Sequence, residues 1–186
     1  MKLLIAGLII WSLVHLIPSL ASPLKHKLTS RLGEKGYKLT FTVLILISIA
    51  LIVFGWRSIE PVTLYMLPYG LRHAFMLMIL IAFILMGASN YPTRIKSFIR
   101  HPQLTGVVVW ALAHLLLNGD NRSIVLFGWL GAWAILEIIL INRREGAWVK
   151  QASPGWAREL RGLVISLVVF VVFAVAHPYF TGVALH

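Results

Sequence analysis

The sequence predicts an all-α fold, a polytopic membrane bundle of about six transmembrane helices, and three observations predict it. Of 186 residues, 59% are hydrophobic and only 12% are charged, whereas a water-soluble domain carries roughly 25% charged residues. The apolar residues gather into runs close to the roughly 20 residues that cross a hydrocarbon core. The seventeen Lys and Arg outweigh six Asp and Glu, giving a net charge of +11, and they cluster between the runs, as basic loops of membrane proteins do.

Leu3–Ser22 is the first run. Lys2 before it and the small residues Ser19-Leu20-Ala21 at its end also fit a cleaved signal peptide. His15 inside the apolar core and Pro23 beside the cleavage position do not, so the segment is expected to be retained. Lys38–Trp56 is the second run and Gly70–Ala88 the third. The fourth, Pro102–Asn118, opens on a proline suited to a first helical position. A tight polar turn, Gly119-Asp120-Asn121-Arg122, joins it to the fifth, Ile124–Ile141, as a helical hairpin. Asn118-Gly119-Asp120 is placed to cap helices or to gate a cavity. The sixth run, Leu163–Thr181, is expected to end or kink at His177-Pro178. Glu137, the one acid inside a predicted span, is expected to snorkel or pair with Arg143 or Arg144. No Ser/Gly-rich linker divides the chain, so one domain is expected over residues 1–186.

The cations give the expected sidedness. Lys25, Lys27, Arg31, Lys35 and Lys38 lie in or beside the first connection; Arg94, Lys96 and Arg100 lie in the third; Arg143, Arg144, Lys150, Arg158 and Arg161 lie in the fifth. That is thirteen of seventeen, with Lys2, Arg57, Arg72 and Arg122 on the other side. The positive-inside rule then puts the odd connections in the cytoplasm and both termini in the periplasm of a bacterial inner membrane. The basic excess answers to anionic headgroups of the lipid bilayer, and nucleic acid is not expected as a partner. The chain has no cysteine, which excludes disulfides, thiolate metal sites and cysteine nucleophiles. It also has no phosphate loop, hydrolytic zinc motif or nucleophile–base set.

Two distant segments share a pattern. The first run reads Gly7, Trp11, His15 and Ser19 at steps of four; the fourth reads Gly106, Trp110, His114 and Asn118 at the same steps. Each set lines one helical ridge. A Gly-x3-Trp-x3-His triple is expected roughly 0.02 times in a chain of this composition if residues are independent, so two occurrences predict a shared role. Each histidine falls about 18 Å along its span at 1.5 Å per residue, close to the midplane of a core of about 30 Å. Because the two spans run antiparallel, an inverted repeat of three plus three helices is expected, with a site at the midplane.

Ionisable residues at that depth face a cavity, a partner or a cofactor. Haem iron takes axial histidine, so His15 and His114 are the candidate metal ligands, with Gly7 and Gly106 making room and Trp11 and Trp110 flanking. The competing reading is that each histidine satisfies itself locally while the glycines serve helix packing. His73 and His177, about 10 Å above the midplane by the same rise, are candidate cavity-lining residues together with Asn118. Arg100 and His101, at the start of the fourth run, are candidates for holding an anion or a cofactor carboxylate.

These residues also carry a resemblance over essentially the whole chain. Its parts are Arg100-His101-Pro102 through Gly106, Trp110 through Leu115, Asn118-Gly119-Asp120 and Leu126-Phe127-Gly128. His15 before Pro18-Ser19, and Arg31 through Glu34 before Tyr37, also belong to it. The chain resembles the NnrU family of bacterial membrane proteins, which implies an association with nitrite and nitric oxide reductase function in denitrification. Related to that family is the plant and cyanobacterial zeta-carotene isomerase, a membrane protein that binds b-type haem through two histidines. The resemblance implies haem b as the cofactor and His15 and His114 as its ligands. The isomerase has Cys where this chain has Ala111, so thiolate ligation and a carotene substrate do not carry over.

The Arg100-His101-Pro102 start is also similar to membrane methyltransferases of the isoprenylcysteine type, in which such a motif helps bind S-adenosylmethionine. Their paired acidic motif has no convincing match at Asn142 through Gly146. The expectation is therefore a membrane haem protein with a redox, nitric-oxide-linked or isomerase-like role, taking a small hydrophobic or gaseous ligand. The alternatives are an S-adenosylmethionine-dependent methyltransferase using Arg100 and His101, and a non-enzymatic transporter or assembly factor for denitrification proteins. Substrate and oligomeric state are not legible in the sequence.

Overall fold

Lipid offers backbone N–H and C=O groups no partner, so apolar runs of this length satisfy their own hydrogen bonds as helices. The structure, a computed structural model, describes residues 1–20, 22–150 and 154–182. Among them are six α-helices: α1 (Lys2–Leu20), α2 (Ser22–Arg57), α3 (Arg72–Ala88), α4 (Pro102–Leu117), α5 (Asn121–Glu145) and α6 (Trp156–Thr181). Short 3₁₀ turns occupy Tyr69–Leu71 and Arg94–Ser97. Helices α1, α2, α5 and α6 are long and apolar enough to cross a membrane. Helices α3 and α4 have 17 and 16 residues, about 25 Å at ~1.5 Å per residue, slightly short of a core of about 30 Å.

The helices fall into two compact units, residues 1–60 and 61–186. In the first, α1 packs along α2, with Leu4, Leu8 and Ser48 fully buried. The expected first connection is itself helical. Leu24, Leu28 and Leu32 recur every four residues, which gives this basic stretch one apolar face. It ends at Gly33, whose φ of 70° glycine adopts without the clash a Cβ would make. The second arm of α2 then carries the expected span from Lys38 onward.

In the second unit α3 packs against α4 and α6, and α4 against α5. Helix α3 thus belongs with the later helices, and the chain divides as two helices and four. Helix α6 runs to Thr181, the expected end of the sixth run, with Pro178 inside it. One further expectation changes. Glu137 does not snorkel: it is 3% exposed, on the face of α5 that also buries Trp133 and Ala134.

Polar side chains fix both ends of this unit. The α4–α5 turn is held by the segment before α3. Leu64 and Tyr65 both donate backbone N–H groups to the Gly119 carbonyl, at 2.7 and 3.1 Å, and Asn121 donates to the Val62 carbonyl at 3.0 Å. The Tyr65 hydroxyl donates to the Leu115 carbonyl, satisfying one of the acceptors that a helix C-terminus leaves open. At the opposite end, the buried Glu159 of α6 accepts from Thr93 Oγ1 at 2.9 Å and from the Arg94 N–H at 2.5 Å, tying the α3–α4 connection to α6. Burial, and then the Glu159 carboxylate, push the Tyr91 phenol above its ordinary value.

Asp120 caps α5, accepting from the N–H groups of Arg122 and Ser123 at 3.1 and 2.9 Å and from Ser123 Oγ at 2.8 Å. Loss of such a cap costs about 1 kcal/mol. Asp120→Ala is therefore expected to lower the unfolding midpoint in detergent, as followed by circular dichroism, while Asp120→Asn, which keeps a capping oxygen, recovers most of the loss.

Candidate functional site

The Gly-Trp-His ridges fold into the same local constellation in each unit. In α1, His15 Nδ1 lies 2.9 Å from the Trp11 carbonyl; in α4, His114 Nδ1 lies 2.9 Å from the Trp110 carbonyl. A carbonyl only accepts, so Nδ1 carries the proton in both rings, and in the neutral imidazole Nε2 carries the lone pair. Each ring also rests on the tryptophan one turn back, with centroids 4.2 Å apart for Trp11–His15 and 4.7 Å for Trp110–His114.

A phenylalanine from the neighbouring helix completes each set. Phe41 of α2 meets His15 edge-on at 5.4 Å between centroids. Phe127 of α5 lies 4.5 Å from His114 and 5.0 Å from Trp110. Neither phenylalanine was singled out as a site residue from the sequence. Phe41 follows its histidine by 26 residues and Phe127 by 13, so no shared spacing marks them. Only the packing of the helix pairs reveals the common Trp–His–Phe arrangement.

The glycines do the work that the competing reading assigns them. A Cβ on Gly7 would come within 2.8 Å of the Ser48 carbonyl and 2.9 Å of the Ile52 backbone. A Cβ on Gly106 would come within 2.8 Å of the Ala82 carbonyl. The space at both positions is filled by the adjacent helix, and close helix approach is what the missing side chains permit.

The remaining candidates separate. His177 lies near the end of α6, its Nδ1 3.3 Å from Thr181 Oγ1. His73 is exposed on the first turn of α3. Asn118 caps α4 by donating its N–H to the His114 carbonyl at 2.8 Å. Arg100 and His101 lie at the other end of α4 and bind the end of α5: Arg100 Nη1 donates to the Gly146 carbonyl at 2.7 Å, and His101 Nε2 lies 2.9 Å from Asn142 Oδ1. They belong to a separate cluster from His114.

A cavity of about 380 Å³ adjoins the His15 set, lined by Phe41, Tyr37, Lys25 and Lys38 among others. Each constellation presents what a metal centre asks of a histidine: Nδ1–H anchored on a main-chain carbonyl, so that the ring is oriented and Nε2 is the donor. Among the described residues no group of three or more His, Asp or Glu gathers as a metal cluster.

A protein-family model described as NnrU protein matches residues 3–185. No curated protein and no solved structure matches the chain.

Overpacking a close helix contact costs about 1–3 kcal/mol. Gly106→Val is therefore expected to destabilise α3–α4 packing by that amount. Gly128→Val, where an added Cβ meets nothing within 4 Å, should change stability far less. Parallel thermal unfolding of both variants in one detergent checks this; equal losses would refute the close-contact role of Gly106.

Proposed function

This chain belongs to the NnrU family, and on that premise we propose that it is a membrane protein binding b-type haem through His15 and His114 as axial ligands. The observation that carries the proposal is the duplicated anchor, in which both histidines spend Nδ1–H on the carbonyl of a tryptophan one turn earlier. That hydrogen bond fixes the tautomer and ring orientation, and it raises the basicity of Nε2, the nitrogen an iron would take. Trp11 with Phe41 and Trp110 with Phe127 give each imidazole aromatic walls that restrict its rotation and exclude water. Lys25 and Lys38, in the cavity beside Phe41, supply cations that suit carboxylate groups of a cofactor. Haem held by these two histidines would supply one-electron chemistry.

The role we propose is redox, linked to nitric oxide and denitrification, or isomerase-like, as the family resemblance implies. We also propose a bacterial inner-membrane location with the basic connections in the cytoplasm and the termini in the periplasm. Support for that orientation comes from the thirteen-to-four division of cations.

The protein purified in detergent from a haem-replete host should show a Soret band that sharpens and shifts on reduction. His15→Ala and His114→Ala should each weaken or abolish it, while His73→Ala leaves it intact. Colourless wild-type protein sinks the proposal. A spectrum lost in His177→Ala but retained in His15→Ala transfers the second ligand to His177.

A further inference from the structure

At the start of α4, away from both histidine constellations, a cavity of about 380 Å³ opens between the α3–α4 connection and the end of α5. Its polar wall includes Lys96, Arg100, His101 and Gln103; its apolar wall includes Leu104, Ile141 and Trp148. The cations are held in place by main-chain contacts. Lys96 Nζ donates to the Ser89 carbonyl at 2.9 Å, one of three N–H bonds it can make. Arg100 Nη1 donates to the Gly146 carbonyl at 2.7 Å, and its guanidinium side chain is only 18% exposed. His101 is fixed on Asn142.

The acid at this end of α5 leaves positive charge in excess. Glu145 lies 3.4 Å from Arg100 but also 3.1 Å from Arg144, so its one charge is shared by two guanidinium groups. The first turn of α4 adds backbone donors. The Thr105 N–H is the first in the helix to reach a carbonyl, that of His101, and His101 makes no side-chain cap. Pro102 has no N–H, so the amides of Gln103 and Leu104 remain as donors in the cavity wall. The rim is apolar: Val149 is 85% exposed and Trp148 36% exposed.

We propose that this cavity binds a phosphate group, carried by an anionic lipid headgroup or by a soluble phosphate. Lys96 and Arg100 neutralise the anion, and the Gln103 and Leu104 amides contact its oxygens. Guanidinium and ammonium donors together with helix amides match a tetrahedral oxyanion with several acceptor oxygens better than a single carbonyl or a flat aromatic ligand. Trp148 and Val149 offer apolar contact to whatever chain the phosphate bears. Haem binding plays no part in the proposal, and it stands or falls separately.

The test uses the full-length chain, purified in detergent and delipidated, with bound adducts read by native mass spectrometry. It is titrated with short-chain phosphatidylglycerol and with inorganic phosphate, and phosphatidylcholine sets the non-specific level. Phosphatidylglycerol should bind above that level. Lys96→Gln should weaken it about tenfold, the loss expected when a hydrogen bond to a charged group is removed, and Lys96→Arg should restore most of it. Arg143→Gln, which removes an exposed cation outside the cavity, should leave binding nearly unchanged. Displacement of the lipid by inorganic phosphate, but not by chloride at equal ionic strength, supports the site with a free phosphate as occupant. Binding that is lost in Lys96→Gln yet resists inorganic phosphate supports it with the lipid headgroup as occupant. Equal losses in Lys96→Gln and Arg143→Gln, or no loss in either, overturn the proposal and assign the binding to the diffuse charge of the basic surface.

Discussion

Inside a bilayer, lipid tails are as apolar as leucine, so two helices gain little from hiding leucines against each other. They hold together where backbones come close enough for van der Waals contact over many atoms. Here that closeness depends on positions with no side chain. Gly7 lies on the Ser48–Ile52 backbone of α2, Gly55 lies on the backbone of Leu3 and Leu4, and Gly106 lies on the Ala82 carbonyl and Met86 of α3. Gly131 of α5 lies over Ala111 of α4. The aromatic sets follow from these contacts. Two turns along α1 from Gly7, His15 meets Phe41 of α2; one turn along α4 from Ala111, His114 meets Phe127 of α5. Ring centroids around 5 Å apart are contact distances for aromatic pairs, and wider helix spacing would separate the rings.

The ends of the helices obey a second constraint, that buried polar groups need partners. Glu159 is 8% exposed, and a buried carboxylate without donors would be costly. Thr93 and the Arg94 amide supply those donors, and Arg94 itself stacks 4.1 Å over the Trp156 ring. One carboxylate thus sets the path of the α3–α4 connection, with consequences further along it. The 3₁₀ turn Arg94–Ser97 delivers Lys96 to the Ser89 carbonyl, and the chain then enters α4 at Arg100-His101-Pro102. The cavity at the α4 start is a product of that path and of the grip of Arg100 and His101 on the end of α5.

Much of this was legible in the sequence because apolar run length and charge placement are local properties. The runs beginning at Leu3, Gly70 and Pro102 became helices with ends within a few residues of those expected. The Trp–His ridge was legible because a four-residue step puts side chains on one face whatever surrounds the helix. What stayed hidden depends on tertiary contact. The basic stretch before Gly33 reads as a loop by its charge, although its leucine spacing makes a helix. The role of Gly106 is visible only once α3 lies against it. Phe41 and Phe127 have no shared spacing, and Glu159 sits among arginines as though it were surface charge. The grouping of α3 with the later helices is likewise a packing fact that no single segment encodes.

The proposed haem site rests on the nitrogen the two histidines choose. A histidine that only needs to satisfy itself in an apolar bundle can do so through either ring nitrogen and any nearby carbonyl. Both rings here use Nδ1, both use the carbonyl four residues back, and both pack at a tilt against the side chain of the residue that owns that carbonyl. Bonding Nδ1 to its own helix turns Nε2 outward from that helix, and the proposed ligand role rests on that orientation. The tryptophan thereby serves twice, its carbonyl setting the tautomer and its indole limiting the ring's tilt. Replacing the indole while keeping the residue's backbone would retain the hydrogen bond but release the ring. The Trp side chains therefore act as positioning groups for the imidazoles, and the repeated Gly-Trp-His step links close helix packing to the presentation of one nitrogen.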